Sequence, residues 1–281
     1  MASNQQGTTK IGMLGAGNMG RAIIAALLRS GWRTEQIRVG EPLQSARSAL
    51  RRELGITACA DNAETIEDID VLVLAVKPQQ MATVLAPLAP RLMQQRPLIL
   101  SIAAGIRIAD LQRCCGGSLA IVRAMPNRAA LVGAGASGLF AAENVSTAQR
   151  ALAETVLSCC GAVVWVEREA LIDTVTALSG SGPAYFFLLA EAMAEAGTQL
   201  GLDPQAARQL AIATLHGAGV LAQHSDGNLS RLREEVTSKG GTTEAALGVF
   251  DAGNLRATVL RAMRAAKVRG GELAEQFKSN R

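Results

Sequence analysis

The chain has 281 residues, of which 49% are hydrophobic and 19% charged, with a formal net charge of +4. That length suits two domains, and the composition can bury a substantial core. The charge is modest and dispersed, which excludes the basic, aromatic-interleaved patch that nucleic acid needs; Arg256, Arg261, Arg264 and Lys267 read as one solvated helix face. No stretch approaches the roughly 20 apolar residues that span a bilayer, and MASNQQGTTK lacks a basic segment leading into an apolar one. Neither a nucleic acid nor a membrane is therefore expected as partner, and a cytoplasmic location is. Five cysteines include the pairs Cys114/Cys115 and Cys159/Cys160, without a CxxC and with His216 and His224 as the two histidines. They read as reduced structural thiols, and no metal site is expected.

From Lys10 to about Trp165 short apolar runs alternate with helix-length segments. KIGML precedes NMGRAIIAALLRS, IRVG precedes PLQSARSALRREL, DVLVLAV precedes PQQMATVLAPL, and PLILSIA precedes IADLQRC. This alternation indicates βαβ units and a parallel sheet. After Glu167 the strand signals stop, and segments such as PAYFFLLAEAMAEAGTQL and DPQAARQLAIATLHGAGVLAQ carry helical periodicity, with Asp203 placed to cap and Pro204 to open the second. No repeat or low-complexity linker marks the boundary.

The first chemical motif is Gly15-Ala16-Gly17-Asn18-Met19-Gly20, directly after the strand KIGML and opening a helix. Gly15 permits the tight turn, Gly17 lets a pyrophosphate approach the backbone, and Gly20 lets helix and strand pack closely. A dinucleotide-binding, Rossmann-type domain follows, so the expected fold is α/β over residues 1–167 with an all-helical domain over 168–281. An acid at the end of the second strand hydrogen-bonds the ribose diol of NAD, whereas basic residues welcome a 2′-phosphate. Glu41 argues for NAD, and Arg47, Arg51 and Arg52 leave NADP open. Glu41 also reads as the start of the next helix, with the arginines as its wet face.

Three further segments, AVKPQ (75–79), RAMPN (123–127) and LSGSGPAY (178–185), join the glycine loop and VTSKGGTT (236–243). Together, and in this order, they resemble pyrroline-5-carboxylate reductase, the family of the last step of proline biosynthesis, over nearly the whole chain. The resemblance implies an oxidoreductase that reduces 1-pyrroline-5-carboxylate to L-proline with NADP(H), NAD(H) or both. It also implies that the helical domain binds substrate and intertwines with a second subunit as a homodimer, often within a larger ring of dimers. It places cofactor contacts on Gly15, Gly17, Asn18, Met19, Gly20, Glu41, Asn62, Ala75, Lys77, Pro78 and Asn127. By itself Asn62 reads as a helix cap, and Lys77 as equally a ligand contact or a solvated loop charge.

In VTSKGGTTEAAL, Gly240 and Gly241 allow backbone N–H groups to point at the substrate carboxylate at a helix N-terminus. Thr242 and Thr243 supply hydroxyls; the family motif makes Thr243 the catalytic contact to the ring nitrogen and Ser238 a carboxylate contact. A protonated imine already accepts hydride well, so orientation alone supplies much of the acceleration, about 7–11 kcal/mol. Two departures from the family pattern stand out: Lys239 replaces the proline of SPGGTT, and Arg128-Ala129 replaces the TP of MPNTP. A 3-hydroxyacid dehydrogenase-like enzyme is the alternative within the fold, yet no lysine lies between Lys77 and Lys239 to serve as its acid–base. A non-catalytic dinucleotide sensor is the alternative outside enzymes.

Overall fold

The computed structural model describes residues 7–279; Met1–Gln6, on which the N-terminal reading partly rests, lie outside the described residues. Eight strands form one sheet: β1 (Ile11–Leu14), β2 (Ile37–Gly40), β3 (Ala58–Cys59), β4 (Val71–Leu74), β5 (Leu98–Ser101), β6 (Ile121–Met125), β7 (Gly135–Ala141) and β8 (Gly161–Trp165). The helices between them are α1 (Asn18–Arg29), α2 (Gln44–Leu54), α3 (Asn62–Thr65), α4 (Met81–Leu85), α5 (Ala89–Gln95), α6 (Ile108–Cys114) and α7 (Thr147–Ser158). There follow α8 (Leu171–Val175), a π-helical turn (Thr176–Gly180), α9 (Gly182–Gln199), α10 (Pro204–Gln223), α11 (Leu229–Glu235), α12 (Thr242–Ala252) and α13 (Leu255–Ser279).

The strand order is β3-β2-β1-β4-β5-β6-β7-β8. All neighbours pair in parallel except β6 and β7, so the sheet is mixed where the sequence predicts a parallel one. β1, β4 and β5 are buried along their whole length, as IGML, VLVL and LILS dictate for strands covered on both faces. One face packs on α1 and α7 through Ile23, Leu27, Val156 and Leu157; the other on α4, α5 and α6 through Met81, Leu92 and Leu111. β7 and β8 carry little of this signal because glycine serves close approach there. A Cβ on Gly138 would lie 2.5 Å from Val175, and Gly161 abuts the backbone of Gly135.

The chain divides into two compact units, and the division falls later than the change of regime expected at Glu167. The sheet unit continues through Gly180 and takes in the chain from Ala266 onward; the second unit is Ser181–Ala265. The physical reason is packing. α8 lies on β6 and β7, and within the same unit the end of α13 buries Ala274 completely, sets Leu273 against Gly105 and packs Phe277 on the second face of the sheet. The second unit is helical, and α10 begins as the sequence predicts: the Asp203 carboxylate accepts from the amides of Gln205 and Ala206 at 3.0 and 3.1 Å, with Pro204 in the first turn. Among the described residues no helix is long and apolar enough to cross a membrane.

Candidate active site

The strand order reverses between β1 and β4, and ligands of open α/β sheets bind in the crevice beyond the carboxyl ends at such a point. The glycine loop lies there. Gly15 has φ +90°, donates its N–H to the Gly40 carbonyl at 2.9 Å, and approaches Ala75 so closely that a Cβ would lie 3.0 Å from the Ala75 oxygen. Ala75 in turn donates to the Leu14 carbonyl at 2.9 Å. Gly17 caps α1 without a side chain, and a Cβ there would meet nothing within 4 Å. Asn18 beside it is exposed and Met19 half-buried, so the first amides of α1 face open space. Gly20 is the opposite case: its Cβ would lie 2.5 Å from the Gly15 carbonyl oxygen. These are the three glycine requirements of a pyrophosphate cradle, and the residues present fit a dinucleotide.

Glu41 follows β2 and precedes α2, so it does not begin that helix. Its carboxylate, 8% exposed, accepts from the amides of Ala16 at 3.2 Å and Leu43 at 3.1 Å. Arg47 folds back from α2 to donate to the carbonyls of Glu41 and Pro42 at 2.9 and 2.7 Å rather than lying on a wet face. Arg51 and Arg52 are exposed. The cap of α3 is Asp61, whose carboxylate accepts from the Ala63 amide at 2.8 Å, so the reading of Asn62 as the cap is corrected by one residue. The Asn62 amide oxygen and Thr65 hydroxyl instead close over Gly40, where a Cβ would collide with both. Lys77 is exposed beyond β4, immediately before a 3₁₀ turn opened by Pro78.

Asn127, four residues beyond Arg123, is buried, and both ends of its side-chain amide are engaged. Its amide oxygen accepts from Ala129 and Ala136, both at 3.2 Å, and its amide nitrogen donates to the Ser179 carbonyl at 3.0 Å. The clamp caps a 3₁₀ turn, Arg128–Val132, that packs against α1 and contains the Arg128-Ala129 departure.

Sequence reasoning missed a buried charged group next to this clamp. Arg123, with a side chain 3% exposed, donates to Glu169 at 2.7 Å, and Glu169 also accepts from the Ile108 amide at 2.7 Å. Arg107 pairs with Asp173 at 2.9 Å. Burial pulls the Arg123 pKa below the usual arginine range, and the charge of Glu169 opposes the shift. The available signal was an arginine inside the otherwise apolar LAIVRAM.

In the helical unit Gly241 caps α12, and Gly240 takes φ +71°. The expectation that both glycine amides face the substrate is corrected by their partners. Gly240 donates to the Glu244 carboxylate at 2.6 Å, and Gly241 to the Ser238 carbonyl at 2.9 Å. The amides of Thr242, Thr243 and Glu244 are the ones that helix geometry leaves without an intrahelical acceptor. Thr243 is half-buried, whereas Ser238, Lys239 and Thr242 are exposed. Among the described residues no three His, Cys, Asp or Glu side chains gather as a metal site.

The comparisons agree with this geometry. Residues 169–273 match the model "pyrroline-5-carboxylate reductase dimerisation", and residues 10–105 match "NADP oxidoreductase coenzyme F420-dependent". The pyrroline-5-carboxylate reductase of Pseudomonas aeruginosa is 46% identical, covering 96% of this chain and 98% of that one. The Haemophilus influenzae protein of the same name is 42% identical, with coverage of 95% and 98%. Of solved structures, the Coxiella burnetii pyrroline-5-carboxylate reductase superposes with a TM-score of 0.92 at 40% identity, covering 95% of this chain and 99% of that one. A Plasmodium falciparum pyrroline carboxylate reductase with NADP bound gives 0.82 at 27% identity, with coverage of 95% and 98%. With identity this high over nearly the full length, and a glycine loop built for a dinucleotide, the chain belongs to the pyrroline-5-carboxylate reductase family and is an NAD(P)H-dependent oxidoreductase.

Proposed function

We propose that this chain reduces 1-pyrroline-5-carboxylate to L-proline, with the crevice at β1 and β4 holding the dinucleotide and the N-terminus of α12 holding the substrate. The observation that carries the first half is the Gly15–Gly17–Gly20 cradle: one glycine in a left-handed turn, one open to a ligand, one pressed on its own loop. NAD(P)H, when bound, supplies the hydride that the C=N carbon accepts.

The chain's own residues bind and orient. The open amides of Asn18 and Met19 receive the pyrophosphate at the positive end of α1. Glu41, Asn62, Lys77 and Pro78 surround the ribose side, with Ala75 backing Gly15. Glu41 retains lone pairs for the ribose diol, and Arg47 stands beside it for a 2′-phosphate, so both cofactors are used. The MPN turn held by Asn127 forms the wall on the nicotinamide side.

At α12 the amides of Thr242 and Thr243, with the Ser238 hydroxyl, hold the substrate carboxylate, and the Thr243 hydroxyl accepts from the protonated ring nitrogen. The iminium needs no acid before hydride arrives, and the amine formed takes its second proton from solvent. The sheet unit is the dinucleotide-binding domain and the helical region the substrate-binding and dimerisation domain. The chain works as a homodimer, assembling further into a ring of dimers, in the cytoplasm. Incubation with 1-pyrroline-5-carboxylate and either reduced cofactor should form proline mole for mole with cofactor oxidised. Cofactor binding with no proline formed would turn the reading toward a sensor.

A further inference from the structure

A buried arginine paired with one carboxylate rarely repays its own desolvation, and apolar side chains of similar volume commonly do as well. Arg123 nevertheless sits in β6, between the apolar neighbours Val122 and Ala124, with only 2% of its surface exposed. Its position along the chain suggests what it is for. Four residues further on, Asn127 donates to the carbonyl of Ser179; ten residues before Ser179, Glu169 accepts from Arg123. Four residues of extended chain span about 13 Å, and α8, which lies between Glu169 and the π turn, packs on β6 and β7. The two segments thus run side by side, pinned at one end by Arg123–Glu169 and at the other by Asn127–Ser179.

Two further contacts stiffen the first pin. Glu169 also receives the Ile108 amide, and Asp173, within α8 just after Glu169, receives Arg107 at 2.9 Å. Between the pins the helix changes to a π turn over Thr176–Gly180, a rare backbone form that is frequent at functional sites. A rare turn carrying one end of the Asn127 clamp is held in place by its support on the other side.

We propose that Arg123 and Glu169 are positioning residues, which fix the π turn and through it the Asn127–Ser179 clamp and the MPN turn beside the glycine loop. This rests on the assignment of the MPN turn to the nicotinamide wall. The test uses the full-length enzyme as Glu169→Gln, which keeps an acceptor for Ile108 but removes the charge, and as Arg123→Lys in case that variant does not fold.

Hydrogen exchange in the cofactor-free protein should quicken at residues 128–130 and 179–182 as well as near residue 169. Reduced-cofactor affinity, read by fluorescence titration, should change less than about threefold while kcat falls about tenfold. Adding either substitution to Asn127→Ala should lower kcat less than about twofold further, because both act through one clamp. Faster exchange confined to residues 107–108 and 169–173, or kcat effects that multiply in full, would overturn the proposal. An unchanged kcat in Asn127→Ala alone would instead sink the nicotinamide-wall assignment, leaving the exchange result to judge the pins.

Discussion

Thr243→Ala removes the hydroxyl that the proposed function assigns to the charged ring nitrogen. A hydrogen bond to a charged group is worth about 1.5–3 kcal/mol, so kcat/KM for the imine should drop roughly 10- to 150-fold, with cofactor affinity unchanged. Glu244 offers a sharper test of the revised anion site. Its carboxylate holds the Gly240 amide within the same helix terminus that is assigned to the substrate carboxylate. Glu244→Gln keeps an acceptor for Gly240 and removes a like charge, so KM for the imine should fall about two- to fivefold, less at high salt. A rise in KM would show that the charge supports substrate binding. At this scale the sequence was legible where the backbone dictates residue identity, as at Gly15 and Gly20. It was not legible where two side chains compete for one role: Asp61 rather than Asn62 caps α3, and the Gly240 amide goes to Glu244. Arg123 and Glu169 stand 46 residues apart, and nothing local connects them.

At the scale of elements, the glycine loop and α1 predict a contrast between two similar substitutions. Gly17→Ala introduces a methyl group into open space at φ −66°, so stability should stay within about 0.5 kcal/mol while dinucleotide affinity falls tenfold or more. Gly20→Ala drives a methyl group into the Gly15 carbonyl and should cost about 1–3 kcal/mol of stability in the cofactor-free protein. Thermal melts and fluorescence titration of both variants separate ligand approach from helix packing; equal melting losses would contradict the distinction. The same physics explains which strands could be read. β1, β4 and β5 are buried on both faces and must be continuous apolar runs, whereas β7 spends Gly135 and Gly138 on close contacts and so reads weakly. Helical periodicity shows that a segment such as α13 has an apolar side, but not that its last part, from Ala266, packs with the sheet unit.

At the scale of the molecule, the helical unit leaves Phe186, Phe187, Leu188, Leu210, Ile212 and Leu221 each more than half exposed. An apolar surface of that extent calls for a partner, and the dimerisation match over residues 169–273 supplies a second copy of the chain. Sedimentation should give at least a dimer, and Phe187→Glu with Leu188→Glu should shift it to monomer, since charge buried in an apolar interface is costly. A monomeric wild type would contradict this. The central claim is hydride transfer to a cyclic imine carrying a carboxylate, and steady-state oxidation of NADH and NADPH by 1-pyrroline-5-carboxylate, measured in parallel, tests it most directly. The account predicts that both reduced cofactors are consumed only when the imine is present, with kcat/KM values within about a hundredfold of each other, a ratio of about 2.7 kcal/mol. A larger preference would contradict the shared roles given to Glu41 and Arg47, and cofactor binding without oxidation would contradict the account as a whole.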